Sequence, residues 1–162
     1  MVEIEAGTGM RPGLATLEPS DAALAADMFR RLSPKSIYSR FFSPITRPDL
    51  FQESIRQIDH SDREAVGAVV NGDLVGIAQY VRRKGGNRAQ MAIVIEDGWQ
   101  RQGLGTRLVA TLAHRALAEG IECFEVDIQG DNYAALKLFR RIAPGSHLTY
   151  SSGVGEGLIP LS

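Results

Sequence analysis

At 162 residues, with 44% hydrophobic and 23% charged side chains, the chain has the size and composition of one globular domain. A net charge of -1 supplies no basic face for nucleic acid or an anionic membrane, and the lone Cys123 excludes an internal disulfide. No apolar run approaches the roughly 20 residues that cross a bilayer, and Met1 to Pro12 lacks the apolar stretch of a signal peptide; the expectation is a cytoplasmic protein.

In chain order, residues 1–12 read as a flexible tail and 13–162 as a single domain. Leu14 to Leu17 is a short apolar run that suits a first strand. Pro19-Ser20-Asp21 sets up a helix start, with Ser20 or Asp21 able to cap free amides, and Leu24, Met28, Phe29 and Leu32 follow at helical spacing. Ser33-Pro34 ends that helix and begins a second through Ile37, Tyr38, Phe41 and Phe42, which Ser43-Pro44 breaks. Pro48 suits the first turn of a third, with Leu50, Phe51, Ile55 and Ile58 as its apolar stripe. From Glu64 the period changes: Ala65 to Val70 and Leu74 to Val81 read as strands joined by a tight turn at Asn71-Gly72-Asp73. Arg82 to Asn87 is a basic loop, and Ala89 to Ile95 a third strand. A helix runs from Gly103 to about Glu119 and stops at Gly120. Phe124, Val126 and Ile128 alternate through another strand, Asp131-Asn132 opens a helix to about Ile142, and Pro144-Gly145 ends it. Two short strands fit around Gly153 to Gly157. The whole predicts a mixed α/β domain.

The informative segment lies between the third strand and the long helix. A helix start leaves about four amides unpaired and its dipole favours an anion. Gly103 and Gly105 remove Cβ atoms that would hold phosphate oxygens away, while Arg101 and Thr106 add side-chain donors. Each contact contributes about 0.3–2 kcal/mol, so several are needed to hold a pyrophosphate. A dinucleotide fold wants a third glycine where Leu108 stands, and a phosphate-binding P-loop wants Gly-Lys-Ser/Thr, which is missing. A helix that begins with glycine for packing alone stays open at this point.

Gln100-Arg101-Gln102-Gly103-Leu104-Gly105 resembles the Gln/Arg-x-x-Gly-x-Gly/Ala motif of the GNAT family of N-acetyltransferases. The strand before it, and Asp131-Asn132-x-x-Ala135-x-x-Leu138-Phe139 after it, are similar to that family in order and spacing. Leu32 to Ser43 and Ile58 to Glu64 resemble, more narrowly, the acetyltransferase domain of bacterial Pat-type protein lysine acetyltransferases. The resemblance implies a mixed, mostly antiparallel central sheet flanked by helices, with a splayed slot for acetyl-CoA. Pyrophosphate would lie on Arg101, Gln102, Gly103, Leu104, Gly105 and Thr106. Pantetheine would run along main-chain groups of Ile93 and Ile95, with an amide near Val94 or Ile95 polarising the thioester. Asn132 would contact pantetheine or serve as a plain helix cap.

The implied reaction is direct acetyl transfer to an amine in a ternary complex. The expected acceptor is a protein lysine, for instance on an acyl-CoA synthetase; a polyamine or aminoglycoside, or a catalytically weak acyl-CoA sensor, are the alternatives. No metal, nucleic acid or membrane is expected, and the protein would be a monomer or homodimer. A lysine is only about one part in a thousand neutral near pH 7.4, a deficit of roughly 4 kcal/mol that a base, a water relay or desolvation must offset. Here the chain departs from the family pattern. Gln90 stands where Pat-like enzymes carry a glutamate base, and Phe139 where the family often has a general-acid tyrosine. Glu64 and Gln90 are the catalytic candidates, acting through water. Glu125 and Asp127 share a strand face that could reach the slot or simply be solvated. Asp59 and His60 suit loop capping, Tyr80 and Tyr133 are possible donors or core rings, and Trp99 suits packing beside the loop rather than substrate recognition. Cys123 reads as a small core residue. His114 and His147 have no metal-ligand spacing. Arg82-Arg83-Lys84 reads as a solvated hairpin end that could alternatively meet a phosphate.

Overall fold

The computed structural model describes residues 3–5, 9–38 and 48–161. Within the stretch expected to be a tail, β1 (Glu3–Glu5) pairs antiparallel with β2 (Gly9–Arg11). The domain follows as β3 (Gly13–Thr16), α1 (Ala22–Arg31), α2 (Pro34–Tyr38), α3 (Pro48–Arg56), β4 (Arg63–Val70), β5 (Asp73–Arg82) and β6 (Arg88–Ile95). It continues through α4 (Leu104–Ala118), β7 (Cys123–Gln129), α5 (Tyr133–Ile142), β8 (Thr149–Ser151) and β9 (Val154–Pro160). The expected run of the second helix through Phe41 and Phe42, and its break at Ser43-Pro44, lie outside the described residues.

Local chemistry explains the boundaries. Glu18 and Asp21 cap each other's turn before α1, Asp21 Oδ2 accepting from the Glu18 amide at 2.8 Å. Asn71 and Gly72 both take positive φ (51° and 83°), the backbone that a two-residue hairpin between twisted strands requires. The C-terminal turn falls at Ser152-Gly153, and Gly155 and Gly157 sit inside β9 rather than in a turn. They are glycine because the sheet is crowded there: a Cβ on Gly157 would meet Leu148 Cδ2 at 2.7 Å and the Phe139 ring at 2.9 Å.

The strands form one seven-stranded sheet in the order β3-β4-β5-β6-β7-β9-β8, antiparallel everywhere except β6–β7. Alternation divides its side chains between two cores. Val66, Tyr80, Met91, Phe124 and Val126 pack with Leu104, Leu108 and Leu112 of α4 and Leu136 and Phe139 of α5. Ala65, Leu74, Ile77 and Val94 pack on the opposite face with Met28 and Phe29 of α1 and Phe51 and Ile55 of α3. The described helices include none long and apolar enough to cross a membrane.

Candidate active site

The parallel pair β6–β7 is joined only at Arg88↔Cys123, Ala89↔Phe124 and Gln90↔Glu125. Beyond Gln90 the strands part, and Met91 to Ile95 faces Val126 to Gln129 across a gap. The ladder fixes which backbone groups line it. Arg88 and Glu96 bond toward β5, through Arg88 O to the Arg83 amide and the Glu96 amide to Val75 O. By the alternation of an antiparallel ladder, Met91, Ile93 and Ile95 turn their amides and carbonyls into the gap, and Val94 turns its own to β5. Of the two amides expected to polarise a thioester, the ladder leaves Ile95 and withdraws Val94.

The gap leads to the start of α4. Arg101 (φ 64°) and Gly103 (φ 78°) both hold left-handed backbone, which costs a non-glycine residue about 1–2 kcal/mol. Among the described residues, no amide from Arg101 to Thr106 finds an acceptor; the first intrahelical bond runs from the Arg107 amide to Gly103 O. This concentration of free donors at a helix start has the form of an anion cradle. Its members differ in role. Leu104 buries its side chain in the core, and Gly105 lies where a Cβ would meet Leu138 Cδ2 at 3.0 Å, so its glycine serves close packing of α4 on α5 as well as access to the amide. Gln102 is exposed and reaches Gly98 O, and Thr106 Oγ1 is buried without a partner among the described residues, so the hydroxyl is turned away from an external anion. Asn132 is buried and its Oδ1 accepts from the Ala135 amide at 3.1 Å, as the cap of α5.

On the sheet face opposite α4, the described helices α1 and α3 pack on β4, β5 and β6 and do not reach β7 and β9. A cleft of about 570 Å³ opens there, lined by Arg83, Gln90, Glu125, Asp127, His147 and Glu156 among others. Asp127 and Glu156 are register partners on β7 and β9. Like charges directly opposite destabilise a sheet, and among the described residues no lysine or arginine forms an ion pair with either of these two carboxylates. Burial, then Glu156 and Glu125, push the Asp127 carboxyl above the ordinary range, against weaker opposition from Arg83 and Gln90. Gln90 Nε2 stands 3.5 Å from Asp127 Oδ2, at the fork itself. Glu125 is already matched by Arg83 at 2.7 Å. The sequence did not single out Glu156: its signal is a cross-strand register, which no local spacing encodes.

Glu64 sits elsewhere. It is 1% exposed on the α4 face of β4, two strands from the gap, and its carboxylate is held by Arg115 Nη2 at 2.7 Å and His60 Nδ1 at 2.9 Å. Side-chain alternation sends Glu64 to the face opposite the cleft. Tyr80 is equally enclosed, donating to Ser61 O, with its hydroxyl pushed up to about 12 by burial. Tyr133 is 77% exposed on α5, and Phe139 is buried in the core. Trp99 packs on that core, and burial raises the half-buried Cys123 thiol, which keeps it protonated. Asp59 caps its own loop through the Ser61 and Arg63 amides. Arg82 reaches Glu119 O and Arg83 pairs with Glu125, so the basic run is largely committed within the protein.

His60 bridges two carboxylates, with Glu18 Oε1 2.8 Å from Nε2 and Glu64 on Nδ1. Glu18 first and Glu64 second raise its pKa above 6.5, so its bridge stabilises the fold fully below that value and is lost as pH rises through the higher folded pKa. The melting temperature of the wild type is therefore expected to fall, from about pH 6.5 upward, more steeply than that of His60→Gln. Parallel slopes in a pH series of melts would refute the bridge.

A family model described as the acetyltransferase (GNAT) family matches residues 31–143, well over half the chain. Among solved structures, the GNAT domain of PAT from S. lividans is similar with a TM-score of 0.82 at 20% identity, covering 99% of this chain and 96% of that one. An acetyltransferase of the GNAT family from Streptococcus pneumoniae has a TM-score of 0.72 at 22% identity, over 93% of this chain and 99% of that one. PaiA N-acetyltransferase from Thermoplasma acidophilum, solved with coenzyme A, has a TM-score of 0.69 at 13% identity, over 93% and 99%. At these identities the likeness is one of fold.

Proposed function

This chain belongs to the GNAT family of acetyltransferases, and from that premise we propose that it transfers an acetyl group from acetyl-CoA to a cationic amine, a protein lysine, in a ternary complex in the cytoplasm. The observation that carries the reading is the fork: a backbone-lined gap with an anion cradle at one end and, on its far side, Asp127 and Glu156, which no described lysine or arginine bridges. The cradle fits a pyrophosphate on its own evidence, since six consecutive amides from Arg101 to Thr106 lack acceptors among the described residues. When bound, acetyl-CoA supplies an activated thioester carbonyl.

The chain's residues divide the remaining work. Amides from Arg101 to Thr106 hold phosphate, and the Ile93 and Ile95 backbone orients the arm. Asp127 and Glu156 draw a protonated amine into the cleft, and Asp127, placed by Gln90, takes a proton from it directly or through one water. The raised pKa of Asp127 moves its basicity toward neutral pH, which a general base requires. Water in the open cleft returns a proton to the leaving thiolate, because Phe139 has no hydroxyl and is enclosed. The open cleft, and the resemblance of Leu32 to Ser43 and Ile58 to Glu64 to Pat-type protein lysine acetyltransferases, support a lysine on a protein over a small amine.

Thiol release from acetyl-CoA near pH 8, screened over lysine peptides, an acyl-CoA synthetase and polyamines, tests the proposal, with a melt in CoA beside it. Saturating CoA at about 100 times Kd is expected to add about 2.7 kcal/mol of stability. Turnover with polyamines alone would sink the lysine assignment. A melting shift without turnover would favour the sensor, and no shift would remove the cradle.

A further inference from the structure

We propose that Gln100 is a positioning residue that ties the anion cradle to α2 through Ser36 and Asp97, so that cofactor affinity depends on a serine of that helix. The inference rests on the reading of the cradle as the cofactor site. Gln100 opens the motif that places phosphate on this loop, yet its side chain points inward. Its Nε2 lies 2.8 Å from Ile95 O and 3.2 Å from Ser36 Oγ. Ser36 is 8% exposed, and its hydroxyl donates in turn to Asp97 Oδ1 at 2.6 Å, where Ser33 Oγ also donates at 3.1 Å.

The donors can be assigned without ambiguity. The Asp97 carboxyl is held below its ordinary pKa, chiefly by the Ser36 hydrogen bond, so it accepts from both serines. The Ser36 hydroxyl hydrogen is thereby used, and its oxygen accepts from Gln100. The second amide hydrogen of Gln100 goes to Ile95 O, an oxygen that only a donor can satisfy. Two consequences follow. The Ile95 carbonyl, turned into the gap by the ladder, is occupied by the protein, which leaves the Ile95 amide as the group offered to a ligand. The left-handed turn at Arg101 begins at the next residue, so its starting point is fixed from α2. Arg31 reinforces the same junction through Glu96 Oε1 and Leu74 O, both at 2.6 Å.

The test measures the Kd of CoA by calorimetry, and the melting temperature without ligand, for the wild type, Ser36→Ala, Gln100→Met and the double variant. Gln100→Met keeps the volume and removes the amide. Each single change is expected to weaken CoA about tenfold, and the double variant is expected to be no weaker than the weaker single, since both break one relay. A purely structural role would lower the melting temperature and leave Kd unchanged, or give losses that multiply; either result overturns the proposal. If Ser36→Ala does not fold, Gln100→Met carries the test alone, with wild-type affinity overturning the proposal and a tenfold loss supporting it. Absence of CoA binding by the wild type would overturn the cofactor reading and this inference together, whereas wild-type binding with unaffected variants overturns this inference only.

Discussion

Asp127→Asn is expected to lower kcat/KM for amine acetylation about 10²–10³-fold near pH 7.5, the scale of a lost general base, while CoA binds as before. The residue at the fork on β6, Gln90, cannot accept a proton, but the facing strand offers Asp127 3.5 Å from it. The substitution keeps the shape and removes only the proton acceptor. The wild-type rate should rise with pH through the elevated Asp127 pKa, and this limb should vanish in the variant. Stability moves the other way. A carboxyl whose folded pKa is raised stabilises the fold when protonated and loses that contribution as pH rises from the unfolded to the folded pKa. At neutral pH Asp127 is thus a liability beside Glu156, and Asp127→Asn should melt higher than the wild type. Unchanged turnover would remove Asp127 from the mechanism; a lower melt would contradict the electrostatic reading.

Glu64→Gln is expected to do the reverse: cost about 2–3 kcal/mol of stability, roughly 5–10 °C in melting temperature, and leave kcat within about twofold. The carboxylate is 1% exposed and accepts from Arg115 Nε at 3.1 Å, Arg115 Nη2 at 2.7 Å and His60 Nδ1. A neutral amide keeps the volume but forfeits the charge that holds the pair and presents hydrogens to a guanidinium. The loss stays below that of a fully enclosed ion pair because the Arg115 side chain is 42% exposed and regains water. An unchanged melt with a hundredfold loss of kcat would make Glu64 the base and displace Asp127.

These two residues mark where sequence reasoning reached and where it stopped. The start of α4 and its free amides were legible because their signal is local: glycine spacing at a strand-to-helix junction fixes both backbone freedom and helix polarity. The hairpin at Asn71-Gly72 and the alternation of Phe124, Val126 and Ile128 were legible for the same reason. Glu64 and Asp127 could be recognised only as carboxylates on strands. Which one meets the gap depends on sheet order and side-chain face, and those are decided by contacts far apart in the chain, such as Arg115 to Glu64 and β9 against β7. The two short strands around Gly153 to Gly157 were legible, but why Gly157 must be glycine inside β9 was not, because only the Phe139 ring and Leu148 exclude its Cβ. Gln100 carried the right motif, but the direction of its side chain depends on Ser36, 64 positions earlier.

The gap between β6 and β7 has a consequence for how such a chain can diverge. The groups that face it at Met91, Ile93 and Ile95 are peptide amides and carbonyls, which every residue except proline carries in full. A ligand arm that pairs with them behaves as an added strand and makes no demand on which side chains stand there. A change of side chain at these positions is therefore limited by core packing and leaves that backbone surface in place. A fold shared at a TM-score of 0.82 with only 20% identity is the outcome such a surface permits.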